Sequence, residues 1–315
     1  MIRGLMGTAC QRMFSFDEAA VLTRDVAEPA VDGNDNYRSG LVGLLGRPNV
    51  GKSSLVNAMC GHKVSIVSDK PQTTRHRVMG VLTRPSSQLV FVDTPGLHKP
   101  VSALGERVNS TALESASDVD MQCLVLDATR AFGTGDRWVA ERLQRNRLVV
   151  VVNKVDIAAR DQVIAMLGAA SELDASAYFP VSAKSGEGLD GLIDFLLDQL
   201  PEGPQWFPEG DRNDMSEEVW VAELVREQLL AVMRDELPYS IATQVTEWEW
   251  PRIRCDIIVE RESQKGMVIG KGGSILREVG TRARAQMPEG AFLELKVKVD
   301  KDWQRRPDRV ERLGY

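Results

Sequence analysis

The chain has 315 residues, 43 % of them hydrophobic, and a formal net charge of −6, which is long enough for two packed domains and too acidic for a protein wholly devoted to nucleic acid. No apolar run reaches the roughly 18 residues of a membrane span, and the basic start "MIRGLMGTACQRMFSF" has an apolar stretch too short and interrupted for a secretory leader. Cys10, Cys60, Cys123 and Cys255 show neither metal nor disulfide spacing, which suits a reducing cytoplasm, and His62, His76 and His98 offer little to a zinc site.

In chain order, residues 1–38 include "DVAEPAVDGNDNYRSG" and read as a variable, disordered extension. Residues 39–200 alternate near-continuous apolar runs with amphipathic stretches. The runs "GLVGLLG", "SQLVFVDT", "MQCLVLDAT", "RLVVVVNK" and "AYFPVSAK" predict strands buried on both faces, hence a mainly parallel sheet. "KSSLVNAMC", "TGDRWVAERLQRN" and "GLDGLIDFLLDQL" predict helices covering it. Residues 201–216, "PEGPQWFPEGDRNDMS", read as a linker. Residues 217–315 follow the order helix, two strands, glycine turn, helix, strand, a small α+β module.

"GRPNVGKS", Gly46 to Ser53, lies between a strand and a helix and matches the P-loop pattern. In the loop Gly46-Arg47-Pro48-Asn49-Val50-Gly51, backbone N–H groups of the residues other than Pro48 would approach phosphates, with the helix N-terminus adding positive potential. Lys52 would bridge the β- and γ-phosphates, the Ser53 hydroxyl would ligate Mg²⁺, and Ser54 continues the first helical turn. "DTPG", Asp93-Thr94-Pro95-Gly96, ends the next apolar run, where Asp93 can hold Mg²⁺ through water and the Gly96 N–H can meet the γ-phosphate. "NKVD" places Asn153, Lys154 and Asp156 at a later strand end. A carboxylate there accepts both N1–H and the exocyclic amine of guanine, a donor pair that adenine lacks. "SAK", Ser182-Ala183-Lys184, ends the following strand and offers a backbone N–H to guanine O6; "PQTTRH" lies where a mobile loop could bring Thr73 or Thr74 to the metal.

Order and strand-end placement together resemble a GTPase G domain. Many GTPases orient the attacking water with a glutamine after D-x-x-G; here Leu97 stands there, followed by His98, so a slow intrinsic rate is expected. His98 reads more readily as a surface residue than as a water-positioning one. The sequence is similar to the subfamily with a hydrophobic residue at that position. That resemblance implies potassium-assisted catalysis through Asn49, favours Thr74 over Thr73 as Mg²⁺ ligand, and gives Lys52, Thr74, Gly96 and Asn49 the catalytic roles.

A second glycine turn, "GKGG" (Gly270-Lys271-Gly272-Gly273), lacks the P-loop spacing but fits the G-x-x-G of a KH domain, which holds the backbone of single-stranded nucleic acid. Between Lys265 and Lys298 the bases Lys265, Lys271, Arg277, Arg282, Arg284, Lys296 and Lys298 outnumber the acids Glu278, Glu289 and Glu294. Lys265, Lys271 and Arg277 are the expected RNA contacts, with "MVI" and "FLELKVKV" lining a groove for bases. Glu260, Glu262 and Glu278 must be excluded from that face or neutralised.

With "QTTRHR", "FVDTPGLHKP", "VERESQKGMVIGKGG" and "LELKVKVDKDWQRRPDRVERLGY", the chain from about Gly40 to Tyr315 resembles the Era family of bacterial GTPases. The resemblance implies a P-loop GTPase domain followed by a KH domain, and a GTP/GDP switch that binds the 3′ end of 16S rRNA and assists 30S subunit maturation. It also implies Mg²⁺ and K⁺ as cofactors, a cytoplasmic protein with peripheral attachment to the inner face of the cell membrane in some members, and no obligate protein partner. The segment after DTPG reads as a mobile switch region facing the KH module. An RNA-modifying enzyme is disfavoured, since no cysteine nucleophile or cofactor motif accompanies the G domain. An RNA-binding assembly scaffold with little turnover is the remaining alternative.

Overall fold

The computed structural model describes residues 37–97, 102–208, 210, 213–234 and 237–315. Of the extension expected over residues 1–38, residues 1–36 lie outside the described residues, as do His98 and Cys10, while Arg38 already opens β1. Strands β1 (Arg38–Leu45), β2 (Val78–Arg84), β3 (Ser87–Asp93), β4 (Met121–Asp127), β5 (Leu148–Asn153) and β6 (Ala177–Pro180) form one sheet in the order β2-β3-β1-β4-β5-β6. β2 runs antiparallel to β3; the other neighbours are parallel. Successive side chains point to opposite faces. Val42, Leu44, Cys123, Val125, Val149 and Val151 therefore join one core with Leu55 and Val56 of α1 (Lys52–Cys60). Leu45, Leu124, Leu126, Val150 and Val152 join another with Ala112 and Ala116 of α2 (Ala103–Ser117). Helices α3 (Thr134–Ala140), α4 (Arg160–Ala170) and α5 (Leu189–Asp198) complete the layers.

Because the strands are parallel, β1, β3, β4 and β5 end at one edge of the sheet. The chain leaves β1 with neighbours on both sides, β3 and β4, which makes the β1–α1 turn a switch point where ligands bind in open α/β sheets. β2 has no counterpart among the expected strands. It is an edge strand of seven residues, "VMGVLTR", whose glycine and short alternation give little periodic signal. The expected helix over "TGDRWVAERLQRN" stops at Ala140, and Arg145–Arg147 form a separate turn.

After the linker come α6 (Glu217–Val232), β7 (Ala242–Glu249), β8 (Arg252–Val259), α7 (Glu262–Ile269), α8 (Ser274–Arg284), β9 (Phe292–Val299) and α9 (Pro307–Arg312). The α6 start is capped by the Ser216 hydroxyl, which accepts from Val219 N. β7 and β8 pair antiparallel, β8 and β9 parallel. The "MVI" expected to line a groove belongs to α7. There Val268 is fully buried against Val279 and Val297, and Met267 alone of the three is exposed. Leu104 and Val108 of α2 pack with Ala242, Ile258, Trp303, Val310 and Tyr315.

Candidate nucleotide and RNA sites

The first turn of α1 has no side-chain cap and no acidic residue, so its backbone donors remain available to an anion. Around it opens a cleft lined by Pro48, Asn49, Lys52, Ser53, Thr74 and Gly96, among others. Gly96 lies so near the P-loop that a Cβ there would stand 2.7 Å from Pro48 N and Cα. Lys52 is buried, and its ammonium donates to the carbonyls of Gly46 (3.2 Å) and Arg47 (3.0 Å). Burial lowers its pKa to about 8, partly opposed by Asp93.

Asp93, at the end of β3, is 0 % exposed, and neither carboxylate oxygen has a hydrogen-bond partner. Desolvation raises its pKa despite nearby Ser53, Lys52, Ser65 and Thr74. The Ser53 and Thr74 hydroxyls meet at 2.8 Å beside it. A buried carboxylate without a partner next to two hydroxyls is a hard-oxygen donor set that fits Mg²⁺. Thr73, the alternative ligand, instead donates its hydroxyl to Lys70 O at 2.6 Å.

Several expected contacts point elsewhere. The Thr94 hydroxyl is buried and donates to Leu44 O (2.7 Å), and Pro95 is buried beside it. The Val50 side chain is in the core, its carbonyl accepting from Asn153 Nδ2 at 2.9 Å. Arg47 reaches Asp136 at 3.4 Å, and Ser54 lines the cleft. Asn49, at φ 64, donates to Asp69 O at 2.6 Å.

In the NKVD loop Asp156 is exposed, and Ser182 Oγ, on a fully buried residue, donates to its Oδ1 at 2.7 Å. Ala183 N–H is taken by Asn153 Oδ1 (3.1 Å), and Lys184 N–H reaches Ser182 Oγ (3.2 Å). Lys154 Nζ donates to Asn49 O (2.7 Å) and to Asp127 Oδ2 (2.6 Å), tying the NKVD loop to the P-loop. Asp127 is absent from the expected residues. Burial works against its charge, but hydrogen bonds from Lys154 and Thr129 hold the carboxyl below its ordinary range. Its position at the end of β4, matching Asp93 at the end of β3, was the available signal.

In the second module, Gly270 ends α7 and residues 271–273 make a tight turn into α8, whose first turn carries no acid. Lys271 and Arg277 are exposed and Lys265 half-buried, and among the described residues no ion pair involves them. Glu278 is neutralised by Arg282 at 2.7 Å, and Glu294 by Arg252 at 2.6 Å. Glu262 sits in the first turn of α7.

Residues 41–154 match the model of the 50S ribosome-binding GTPase family, and residues 236–304 that of the KH domain. GTPase Era of Mycobacterium sp. (strain KMS) is 48 % identical over 297 residues, covering 89 % of this chain and 99 % of the relative. The chain belongs to the Era family of GTPases. GTPase Era of Mycolicibacterium smegmatis is 46 % identical over the same length. Among solved structures, Era in complex with MgGDPNP and nucleotides 1506–1542 of 16S ribosomal RNA superposes with a TM-score of 0.85 at 36 % identity, covering 89 % of this chain and 99 % of that one. A variant of Aquifex aeolicus Era bound to GDP·AlF4⁻ gives 0.83 at 36 % identity, covering 88 % of this chain and 99 % of that one.

For this Era-family GTPase the buried lysine is expected to make nucleotide binding pH-dependent. A polyphosphate would return Lys52 from about 8 towards its ordinary 10.5, so binding takes up a proton above pH 8. Affinity for GTP is expected to be level below pH 7 and to fall between pH 8 and 10. Calorimetry at pH 8.5 in buffers of different ionisation enthalpy should show uptake of roughly three-quarters of a proton. Absence of uptake would mean that Lys52 does not meet the phosphates.

Proposed function

We propose that this GTPase is a nucleotide-driven switch that binds single-stranded RNA near the 3′ end of 16S rRNA and assists maturation of the small ribosomal subunit. One observation carries the reading: two separate glycine turns open helices, one tied to the NKVD loop through Asn153 and Lys154, the other beside Lys271 and Arg277, which make no ion pair among the described residues. The Era structure holding MgGDPNP and a 16S rRNA fragment supports it.

In this reading the α1 N-terminus and Lys52 hold the β- and γ-phosphates, and Asp156, oriented by Ser182, accepts from the base. Ser53 and Thr74 would ligate Mg²⁺, with Asp93 acting through water; once bound, the ion supplies positive charge to the phosphate oxygens. Gly96 N–H would meet the γ-phosphate. Leu97 is 1 % exposed with its N–H on Gly46 O at 3.1 Å, so its side chain cannot orient water and intrinsic turnover is slow. Asn49, held against Asp69 O, is the residue to engage K⁺ in compensation. Gly270, Lys271, Gly272, Gly273, Lys265 and Arg277 contact the RNA backbone. The family resemblance alone carries a cytoplasmic setting with peripheral membrane contact; among the described residues no helix is long and apolar enough to cross a membrane.

Filter binding of an oligoribonucleotide with the 3′-terminal 16S sequence tests the reading. Protein loaded with a GTP analogue should retain it roughly tenfold better than a scrambled oligomer, and retention should weaken as salt rises. Equal retention contradicts the reading. In the same preparation single-turnover hydrolysis should be faster in KCl than in NaCl; equal rates would remove the potassium.

A further inference from the structure

The loop that follows α1 is pinned by one side chain of that helix. Asn57 Oδ1 accepts from Val64 N (2.8 Å) and Ser65 N (2.9 Å), and its Nδ2 donates to Ser65 O at 2.9 Å. Ser65 belongs to neither helix nor strand, yet both of its backbone polar groups are satisfied as a strand ladder would satisfy them. Val64 and Ile66 on either side are buried, Val64 in the core that holds Leu55 and Val56 of the same helix. The loop's far end is tied separately: the Thr73 carbonyl accepts from Arg226 Nη2, and the buried Arg226 donates through Nε to Glu223 Oε1 at 2.8 Å. The Ser65 backbone is thus set by α1, where Asn57 stands one turn after Ser53 on the same face.

The Ser65 hydroxyl is what these bonds leave over. The residue is 2 % exposed, and Oγ has no hydrogen-bond partner. It stands beside Asp93: the hydroxyls of Ser53, Ser65 and Thr74 all lie near enough to oppose the effect of burial on that carboxylate. Ser65 also lines a small cavity with Thr74. Ser53 and Thr74 bond to each other at 2.8 Å. Ser65 Oγ and the two Asp93 oxygens remain, three buried polar atoms without a protein partner. A buried hydroxyl left unpaired is costly, and an alanine held here by the same backbone bonds would avoid the cost.

We propose that Ser65 is a positioning residue of the metal site: its hydroxyl, set by the Asn57 clamp, hydrogen-bonds the water through which Asp93 meets Mg²⁺. This rests on the reading of Asp93 as a carboxylate that reaches the ion through water. Such a water has two protons to give. Asp93 accepts one and Ser65 Oγ the other, which satisfies the orphaned atoms and fixes how the water is turned.

The test is equilibrium binding of a labelled non-hydrolysable GTP analogue to the full chain across a Mg²⁺ titration. The proteins compared are wild type, Ser65→Ala, Asp93→Asn, their double variant and Asn57→Ala. Ser65→Ala should raise the Mg²⁺ needed for half-maximal tightening about three- to tenfold, the range of one hydrogen bond. Analogue affinity in EDTA should stay within about twofold, and thermal stability without metal or nucleotide should equal or exceed that of wild type, since no protein group loses a partner. A merely structural hydroxyl would do the reverse, lowering that stability and leaving the Mg²⁺ requirement alone. Asp93→Asn should raise the requirement by a larger factor, and adding Ser65→Ala to it should change little more, because both act through one water. An unchanged requirement for Ser65→Ala beside a shifted one for Asp93→Asn overturns the proposal, as does full additivity in the double variant. Asn57→Ala should raise the requirement as Ser65→Ala does; a wild-type value there overturns the role of the clamp. No shift even for Asp93→Asn removes the carboxylate assignment on which the proposal rests.

Discussion

Asp156→Asn is expected to weaken GTP binding by about two to three orders of magnitude while giving affinity for xanthosine triphosphate. The carboxylate would accept from N1–H and from the exocyclic amine, two charge-assisted hydrogen bonds that together contribute ~3–4 kcal/mol. An asparagine keeps one acceptor and turns the other into a donor, which opposes the guanine amine but meets the carbonyl that xanthine carries there. Ser182 Oγ, donating to Oδ1 at 2.7 Å, fixes the side chain in either variant by selecting the oxygen. GDP affinity should fall in parallel, because the base and not the γ-phosphate is affected. Competition binding with the three nucleotides measures this; unchanged GTP affinity would mean the base lies elsewhere.

Placing two negative charges on the second glycine turn should reduce affinity for single-stranded RNA by about 100-fold or more and leave GTP affinity unchanged. The choice of positions matters. Gly270 has φ 72 and ψ 171, and a Cβ there would meet Ile275 Cγ1 at 2.8 Å and Ile275 N at 3.0 Å. Substituting it would disturb the turn itself. Gly272, at φ 59, has open space around a Cβ, and aspartate tolerates the left-handed region better than most residues. Lys271→Asp combined with Gly272→Asp therefore changes charge more than conformation. A change from +1 to −2 at this turn repels each phosphate that approaches it and removes a counterion-releasing contact. Titration with a fluorescent oligomer measures the loss; RNA affinity within twofold of wild type would move the RNA site away from this turn.

The nucleotide elements were legible because each is a short local word at a strand end: a glycine turn before Lys52, an aspartate after "LVFV", an "NKVD" after "VVVV". Parallel pairing then brings those ends together, and the alternation that predicts the strands also predicts the pairing. What stayed hidden depends on contacts between distant segments. Asp127 reads as one acid in "VLDATR" until Lys154 is seen 2.6 Å away. Glu223 and Arg226 read as ordinary helical charges in "VAELVREQL", although Val221, Leu224, Val225 and Leu229 surround them in sequence. Such surroundings place an i, i+3 charge pair within the buried part of a helix, and that was the usable clue. Nothing local links them to "QTTRH" some 150 positions earlier. Of "MVI", the helix turns Val268 inward and Met267 outward, which three consecutive apolar residues do not disclose.

The most direct test crosses the two sites in a single set of binding measurements. Wild type, Lys52→Ala and the Lys271→Asp, Gly272→Asp variant are each titrated with a labelled guanine nucleotide and with a labelled unpaired RNA oligomer. The account predicts that Lys52→Ala loses the nucleotide and still binds the oligomer, and that the charge-reversed turn does the opposite. Loss of both ligands from either variant, or displacement of RNA by GTP in simple competition, would contradict two distinct phosphate sites on one chain.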